Sequence, residues 1–312
     1  MNISQALTSA YQKLIKAKIN SAHLDAELLL SFTIKKSREY ILAHPEKSLT
    51  KNQTNKFQNL ITQRAKNIPI AYLTNSKEFY GRTFYVDERV LVPRPETEQI
   101  IDITKRILRN PIPLKGIGFP NKRTIIADIG TGSGCIITTM ACELKNKNIK
   151  YFAIDISKDA LAVARKNARL HGVDKKIKFL QGNLLEPFLK KSKLVIGHWS
   201  LVIVANLPYL TPTEIKNSPS IKHEPRLALT AGKDGLKYYR ELAKQIKELI
   251  KINPKLNITL LCEIGDKQAN GMKKIFSPEK ITIKKDLAGL DRVAVVTSPA
   301  LRAPSPCKGE GM

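Results

Sequence analysis

The stretch Thr124-Ile125-Ile126-Ala127-Asp128-Ile129-Gly130-Thr131-Gly132-Ser133-Gly134-Cys135 decides the fold. Its first half, Ile125-Ile126-Ala127, reads as a strand that runs into the loop. Its second half sets glycines at 130, 132 and 134, where the backbone can turn sharply and approach a ligand closely. An apolar helical pattern opens at Cys135, and a helix start offers free backbone N–H groups. A glycine pattern alone is weak; between a strand and a helix it carries more.

Downstream, the sequence alternates strand and helix. Strands are predicted at 124–129, 150–154, 177–181, 201–206, 258–263, 281–286 and 292–297, with helices between most of them, clearest at 157–171 and 236–252. That alternation implies an α/β fold, a mostly parallel seven-stranded, Rossmann-like sheet with helices on both faces. The last two strands, joined by Gly289-Leu290-Asp291, are expected as an antiparallel C-terminal hairpin at the edge.

Upstream, residues 1–70 read as helical. Ala6, Leu7, Ala10, Tyr11 and Leu14 recur at helical spacing, as do Leu24, Ala26, Leu28, Leu29 and Leu30, then Phe57, Leu60 and Ile61. Residues 77–92 switch period, and Phe79, Phe84, Val86 and Val90 around Gly81 suggest a β-hairpin. Pro93-Arg94-Pro95 interrupts, and Glu96-Thr97-Glu98 opens a helix through Ile100, Ile101, Ile103 and Ile107. Residues 110–122, with three prolines and two glycines, are expected as a loop. The chain therefore divides into a small N-terminal helical bundle domain at 1–75, a hairpin linker at 76–95, an α/β domain at 96–298 and a disordered tail at 299–312. A length of 312 residues suits two domains.

Composition is ordinary for a globular protein, 42% hydrophobic and 26% charged. No apolar run reaches the roughly 18–20 residues a membrane span needs, and Met1-Asn2-Ile3-Ser4-Gln5 lacks the basic start and apolar core of a signal peptide. A cytoplasmic location, with no membrane partner, is the default expectation. Cys135, Cys142, Cys262 and Cys307 have no CxxC spacing and no accompanying His cluster, so neither a metal site nor a disulfide framework is expected. The five histidines share no motif. The unusual number is the charge: 53 Lys+Arg against 27 Asp+Glu give +26. Direct nucleic-acid attraction is one reading. Compositional drift is the other, since Lys, Asn and Ile are abundant throughout and the basic residues are dispersed.

The glycine loop has GxGxG spacing rather than GxGxxG. The next strand ends in Ile154-Asp155-Ile156, and a carboxylate there can accept from both hydroxyls of a ribose. A nicotinamide dinucleotide and S-adenosylmethionine both fit that much. Asp128, before the first glycine, favours the second: a carboxylate would repel a pyrophosphate but suits a ligand with a cationic amino-acid end. The candidate cofactor contacts are Asp128, Gly130, Thr131, Gly132, Ser133, Gly134 and Asp155. The third strand ends at Gln181-Gly182-Asn183-Leu184, where Asn183 can hydrogen-bond an adenine edge and Leu184 can pack on its face.

The fourth strand, Leu201-Val202-Ile203-Val204-Ala205, runs into Asn206-Leu207-Pro208-Tyr209. The Asn206 side-chain oxygen is an acceptor. Pro208 fixes its own φ and biases Leu207 to an extended form, so the Leu207 carbonyl can aim at the same point. Two converging acceptors suit an NH₂ group, and Tyr209 supplies a flat face for a planar amide or base. An amide nitrogen is a poor nucleophile, and holding both N–H bonds directs its lone pair and stabilises charge developing on it. Asn206, Leu207, Pro208 and Tyr209 are the candidate catalytic and substrate-holding residues. By themselves they leave glutamine, adenine and cytosine open.

With these segments in view, the chain resembles the glutamine methyltransferases of class I peptide chain release factors, the PrmC/HemK family, over about residues 5–298. The resemblance rests on Leu24-Asp25-Ala26-Glu27-Leu28-Leu29-Leu30, Pro69-Ile70-Ala71-Tyr72, Glu78-Phe79-Tyr80-Gly81, Leu91-Val92-Pro93-Arg94-Pro95-Glu96-Thr97-Glu98, Glu224-Pro225-Arg226-Leu227-Ala228-Leu229, Gly232-Lys233-Asp234-Gly235-Leu236 and Asp286-Leu287-Ala288-Gly289-Leu290-Asp291-Arg292. It implies an S-adenosylmethionine-dependent methyltransferase fold. It also implies that Gly130 to Gly134, Asp155, Leu184 and Asn206 contact S-adenosylmethionine, and that Asn206 to Tyr209 hold the substrate. That substrate would be the glutamine of the Gly-Gly-Gln motif, with the N-terminal domain helping to grip the release factor. The family usually has Asn-Pro-Pro-Tyr where this chain has Leu207, and often Asp where it has Asn183. Two other classes compete: methylation of an exocyclic amino group in DNA or RNA, which the +26 charge favours, and a non-catalytic translation partner that kept the fold. Arg94 and Glu96 are expected to lock the two domains, and Glu224 and Arg226 to order the loop after the tetrapeptide.

Overall fold

The computed structural model describes residues 1–109, 123–190, 199–218 and 221–298. The predicted loop at 110–122 and the predicted tail at 299–312 lie outside these residues.

The N-terminal part is helical: α1 (Ile3–Lys16), α2 (Ala22–Ile34), α3 (Arg38–Ala43), α4 (Lys51–Arg64) and α5 (Ile70–Thr74). Asn2 with Gln5, and Thr50 with Gln53, form capping boxes that satisfy the first free N–H groups of α1 and α4. Leu7, Leu14, Leu29, Leu30, Phe57 and Leu60 from three of these helices share one buried cluster. Most of the apolar residues whose spacing predicts these helices lie in that cluster, but Leu24 of α2, counted in the predicted pattern, is exposed.

The expected hairpin is present, but it covers only the first part of the linker. Strands β1 (Lys77–Phe79) and β2 (Arg82–Phe84) pair over three residues around Tyr80-Gly81, both at positive φ, as a tight two-residue turn requires. The ladder then stops. Residues 85–92 leave as a strap whose polar groups are satisfied by side chains. Asn75 Nδ2 donates to the Val86 carbonyl at 3.1 Å, and the Tyr72 hydroxyl donates to the Val90 carbonyl at 2.6 Å. Val86 and Val90 are buried by packing, not by sheet pairing. Apolar alternation could not distinguish the two.

After a 3₁₀ turn at Pro95–Thr97 the chain runs through α6 (Glu98–Arg109), β3 (Thr124–Ile129), α7 (Cys135–Glu143), β4 (Ile149–Asp155), α8 (Lys158–Leu170), β5 (Ile177–Gln181), α9 (Glu186–Lys190), β6 (Ser200–Ala205), α10 (Pro212–Lys216), α11 (Lys237–Ile252), β7 (Asn257–Glu263), α12 (Ala269–Phe276), β8 (Lys280–Lys285) and β9 (Asp291–Ser298). The seven strands lie in the order β5-β4-β3-β6-β7-β9-β8. β3 to β7 are parallel, and β9 inserts antiparallel between β7 and β8. All seven expected strands are present, and the terminal hairpin forms that edge.

Alternation along β3 divides the core. Ile125, Ala127 and Ile129 face α11 residues such as Tyr239 and Leu242, whereas Ile126 faces Ile100 of α6 and Ile137 of α7. Both central strands, β3 and β6, are buried at all six positions. β8 is half exposed and carries Lys280, Lys284 and Lys285, charges that discourage pairing with another chain at an open edge.

Candidate functional site

The strand order reverses between β3 and β6, and ligands of open α/β sheets bind beyond the carboxyl ends at such a point. Ile129 pairs with Ala205 there, so Gly130 and Asn206 emerge side by side. The approach is close: a Cβ on Gly130 would lie 3.1 Å from Leu207 Cδ2. A cleft opens above them. It is lined by Gly130 to Ser133, Asp155, Asn183, Leu184 and Asn206 to Pro208, together with strap residues Arg89 to Leu91, Pro93, and Pro225, Leu227 and Ala228.

The glycine loop is held from below. Gly130 N and Thr131 N both donate to the Ile154 carbonyl, at 2.8 and 3.0 Å. Gly134 has φ +76, and a Cβ there would meet Ala164 Cβ at 2.9 Å, so only glycine lets α7 start so close to α8. Asp155 accepts from Gly132 N through Oδ2 and from Ser157 N through Oδ1, each at 2.9 Å. Burial pushes its carboxyl above the usual aspartate range, partly offset by these N–H donors. Each oxygen keeps a further lone pair for a ligand.

Three of the residues predicted from the sequence are near the cleft without lining it. Asp128 is fully enclosed, because its place in β3 turns it toward the α6–α7 side of the sheet. It accepts the Thr131 hydroxyl at 2.7 Å, and burial pushes its carboxyl up to about 7. Its role in the structure is to brace the loop from behind. Gly134 caps the start of α7, and the Tyr209 hydroxyl is directed to Glu263. Asn183 lines the cleft, but its Nδ2 donates to Glu241. Leu184 adopts φ +52 and is buried at the cleft wall.

The tetrapeptide is anchored by residues that sequence reasoning passed over. Asn206 Nδ2 donates to Thr97 Oγ1 at 3.0 Å; Thr97 Oγ1 donates to Glu263 Oε2 at 2.6 Å; Tyr209 OH donates to Glu263 Oε1 at 3.1 Å. The Tyr209 carbonyl accepts from Gln268 Nε2 at 2.9 Å. Glu263 had a legible signal: an acid closing the apolar run Leu260-Leu261-Cys262 of β7, at the strand end where ligands gather. Asn167 is a second omission. From the buried face of α8, its Nδ2 donates to the Ser133 carbonyl at 2.8 Å and the Tyr85 carbonyl at 2.9 Å, and its Oδ1 accepts from Tyr85 N at 2.7 Å. It ties the strap to the glycine loop; the signal was an Asn on the stripe of Ala160, Val163, Ala164 and Ala168. Among the described residues no group of three or more His, Cys, Asp and Glu is placed to hold a metal ion, and no helix is long and apolar enough to cross a membrane.

A doubly wound sheet, a GxGxG loop at its reversal point and an Asn at the next strand end define a methyltransferase-type α/β domain, and residues 120–273 match a methyltransferase domain model. Residues 5–74 match the PrmC N-terminal domain. The chain is 34% identical to a release factor glutamine methyltransferase of Bacillus cereus, over 86% of this chain and 89% of that protein. It is 35% identical to the one of Bacillus subtilis, over 86% and 88%. The chain belongs to the release factor glutamine methyltransferase family. It is also 36% identical to a bifunctional methyltransferase of Rickettsia felis, covering 96% of this chain but spanning only 58% of that longer relative. Among solved structures, the hMettl16 catalytic domain in complex with an MAT2A 3′UTR hairpin has a TM-score of 0.52 at 15% identity, over 81% of this chain and 84% of that one; this likeness concerns the fold alone.

Proposed function

We propose that this protein transfers a methyl group from S-adenosylmethionine to the side-chain amide nitrogen of the glutamine in the Gly-Gly-Gln motif of class I release factors, breaking the sulfur–methyl bond and one N–H bond and leaving S-adenosylhomocysteine, N-methylglutamine and a proton released to solvent. The observation that carries this reading is the pairing of Ile129 with Ala205, which sets the amide-holding tetrapeptide directly beside the glycine loop. The residues present suit S-adenosylmethionine: a buried carboxylate at Asp155 for ribose hydroxyls, close backbone at Gly130 to Gly132, and apolar Leu184 and Ile156 for a base. When bound, it supplies an activated methyl on a sulfonium.

The chain's own part is to bind and orient. Asn206 Oδ1 and the Leu207 carbonyl accept the two N–H bonds of the incoming amide, directing its lone pair toward the cofactor side of the cleft. Pro208 stiffens the turn. The strap and the Pro225–Ala228 segment narrow the cleft and limit the access of water.

The test is methyl transfer from labelled S-adenosylmethionine to purified release factor, with tRNA and DNA as parallel acceptors. Label in wild-type release factor, and none when its Gly-Gly-Gln glutamine is replaced by alanine, is expected. Undiminished label in that variant, or label only in nucleic acid, would refute the proposal.

A further inference from the structure

We infer that Thr97 and Glu263 are positioning residues that fix which way round the Asn206 amide stands, so that its oxygen is always offered to the substrate. The inference rests on the proposed role of Asn206 in holding the substrate amide.

The two ends of a side-chain amide have nearly the same shape, so packing hardly distinguishes them, and only hydrogen-bond partners set the orientation. The orientation matters here. A substrate NH₂ brings donors; a turned Asn206 would meet them with its own NH₂ and lose the contact. The chain Asn206–Thr97–Glu263 excludes the turned form by its polarity. An ionised carboxylate only accepts, so the single proton of the Thr97 hydroxyl, 2.6 Å from Glu263 Oε2, is committed to that bond. The Thr97 oxygen then has only lone pairs to offer. It can accept from Asn206 Nδ2, at 3.0 Å, but it would repel Oδ1. Among the described residues Oδ1 makes no hydrogen bond, and Asn206 lines the cleft.

The same carboxylate orders the far end of the tetrapeptide. Its other oxygen accepts the Tyr209 hydroxyl at 3.1 Å, and the Tyr239 hydroxyl donates to the Glu263 backbone carbonyl. Glu263 is 1% exposed. Burial pushes its carboxyl above the usual range; the Thr97 and Tyr209 hydroxyls and the charge of Arg292 pull it back down, and Glu96 adds to the upward push. Protonation would turn Glu263 into a donor, release the Thr97 proton from its assigned direction and let the amide turn. The ordering therefore holds above the Glu263 pKa and is lost below it.

The experiment compares wild type with Thr97→Val, Thr97→Ser and Glu263→Gln. Steady-state methylation of release factor is measured across pH, with S-adenosylmethionine binding by calorimetry. Thr97→Val, which keeps the shape and removes the acceptor, should lower kcat about 10- to 100-fold while S-adenosylmethionine affinity changes by less than about threefold. Thr97→Ser should restore most of the rate, and Glu263→Gln should lose the acidic limb of the wild-type kcat profile. A Thr97→Val enzyme with wild-type kcat, or a loss that Thr97→Ser fails to rescue, would overturn the inference. Hydrogen exchange of the Asn206 side-chain NH₂, followed by NMR on ¹⁵N-asparagine-labelled protein and assigned with Asn206→Asp, needs no turnover. Slow exchange in wild type that becomes fast in Thr97→Val supports the inference even if release factor proves not to be the substrate; unchanged exchange rejects it.

Discussion

The Arg94 guanidinium and the Glu224 carboxylate meet at 2.5 Å across 130 positions of chain. The Glu224 side chain is 2% exposed, and its second oxygen accepts from Val92 N at 3.0 Å. One carboxylate thus fastens the strap to the segment that follows the tetrapeptide, and both of these walls line the cleft.

The first prediction tests that clasp. Arg94→Ala leaves a buried carboxylate with a single N–H partner, and breaking such a pair costs more than never having made it. With Arg94 partly exposed, a stability loss of about 1–3 kcal/mol is expected. Glu224→Gln keeps the shape and should cost less. Both variants should bind S-adenosylmethionine more weakly, because Pro225 and Pro93 would no longer hold the cleft walls together. Calorimetric titration and urea unfolding measure the two effects separately; unchanged affinity in Arg94→Ala would rule out this role.

The second prediction concerns Asp155. Its two oxygens already take Gly132 N and Ser157 N, so Asp155→Ala removes both an anchor for the loop and the acceptor for ribose hydroxyls. Hydrogen bonds to a charged group contribute roughly 1.5–3 kcal/mol each, so an affinity loss of at least about 100-fold is expected. The pH dependence follows from the upward shift. The ionised form accepts the hydroxyls, so affinity is full above the folded pKa and falls as the group protonates. Because burial raises that pKa, the fall should begin at a higher pH than an exposed aspartate would give. Asp155→Asn should bind weakly with no such fall.

Much of this architecture is legible in the sequence, because the central strands are continuous apolar runs and the helices between them are amphipathic. The strap is not. Val86 and Val90 alternate as strand residues do, yet their backbone partners are Tyr72 and Asn75, distant side chains that no local period encodes. At the site, Gly130 and Asn206 announce themselves by their place at strand ends. Thr97 does not, since its importance comes from meeting Asn206 and Glu263 only after the sheet has formed, 109 and 166 positions along the chain. Leu207 is instructive too. Only its carbonyl is needed to hold a substrate amide, but Leu207 is 3% exposed and packs against Gly130, so substitution there also disturbs the glycine loop.

The third prediction concerns Asn167, which joins the strap to the glycine loop with three hydrogen bonds and is fully buried. Asn167→Ala strands the Tyr85 N–H and two carbonyls, and each orphaned buried group costs about 1–3 kcal/mol before relaxation. A loss of about 2–4 kcal/mol is expected. Asn167→Asp should also destabilise, since it removes both N–H donors and turns a carboxylate toward two carbonyl oxygens. Thermal unfolding measures both; a change below about 0.5 kcal/mol in Asn167→Ala, the range of an ordinary surface substitution, would show the contacts to be dispensable.

The fourth prediction uses Asp128, whose carboxyl burial raises from 3.8 to about 7 while the Thr131 hydroxyl and a backbone N–H at Ile137 oppose the rise. Between those two values the folded chain holds a proton that the unfolded chain has released, so the slope of stability with pH is negative. The contribution is fully present below pH 4 and is lost as pH rises through 7, by about 1.4 kcal/mol for each pH unit in that window. Asp128→Asn cannot titrate, and its amide oxygen can still accept the Thr131 hydroxyl. The variant should therefore gain on wild type as pH rises, and the difference between their unfolding free energies should grow from pH 4 to 7 and level off above about 8. Urea unfolding of both proteins at several pH values gives that difference directly, with other titrating groups cancelling in the subtraction. A difference that stays constant across the window would mean that Asp128 is ionised throughout and that the enclosed carboxylate has a partner strong enough to hold it so.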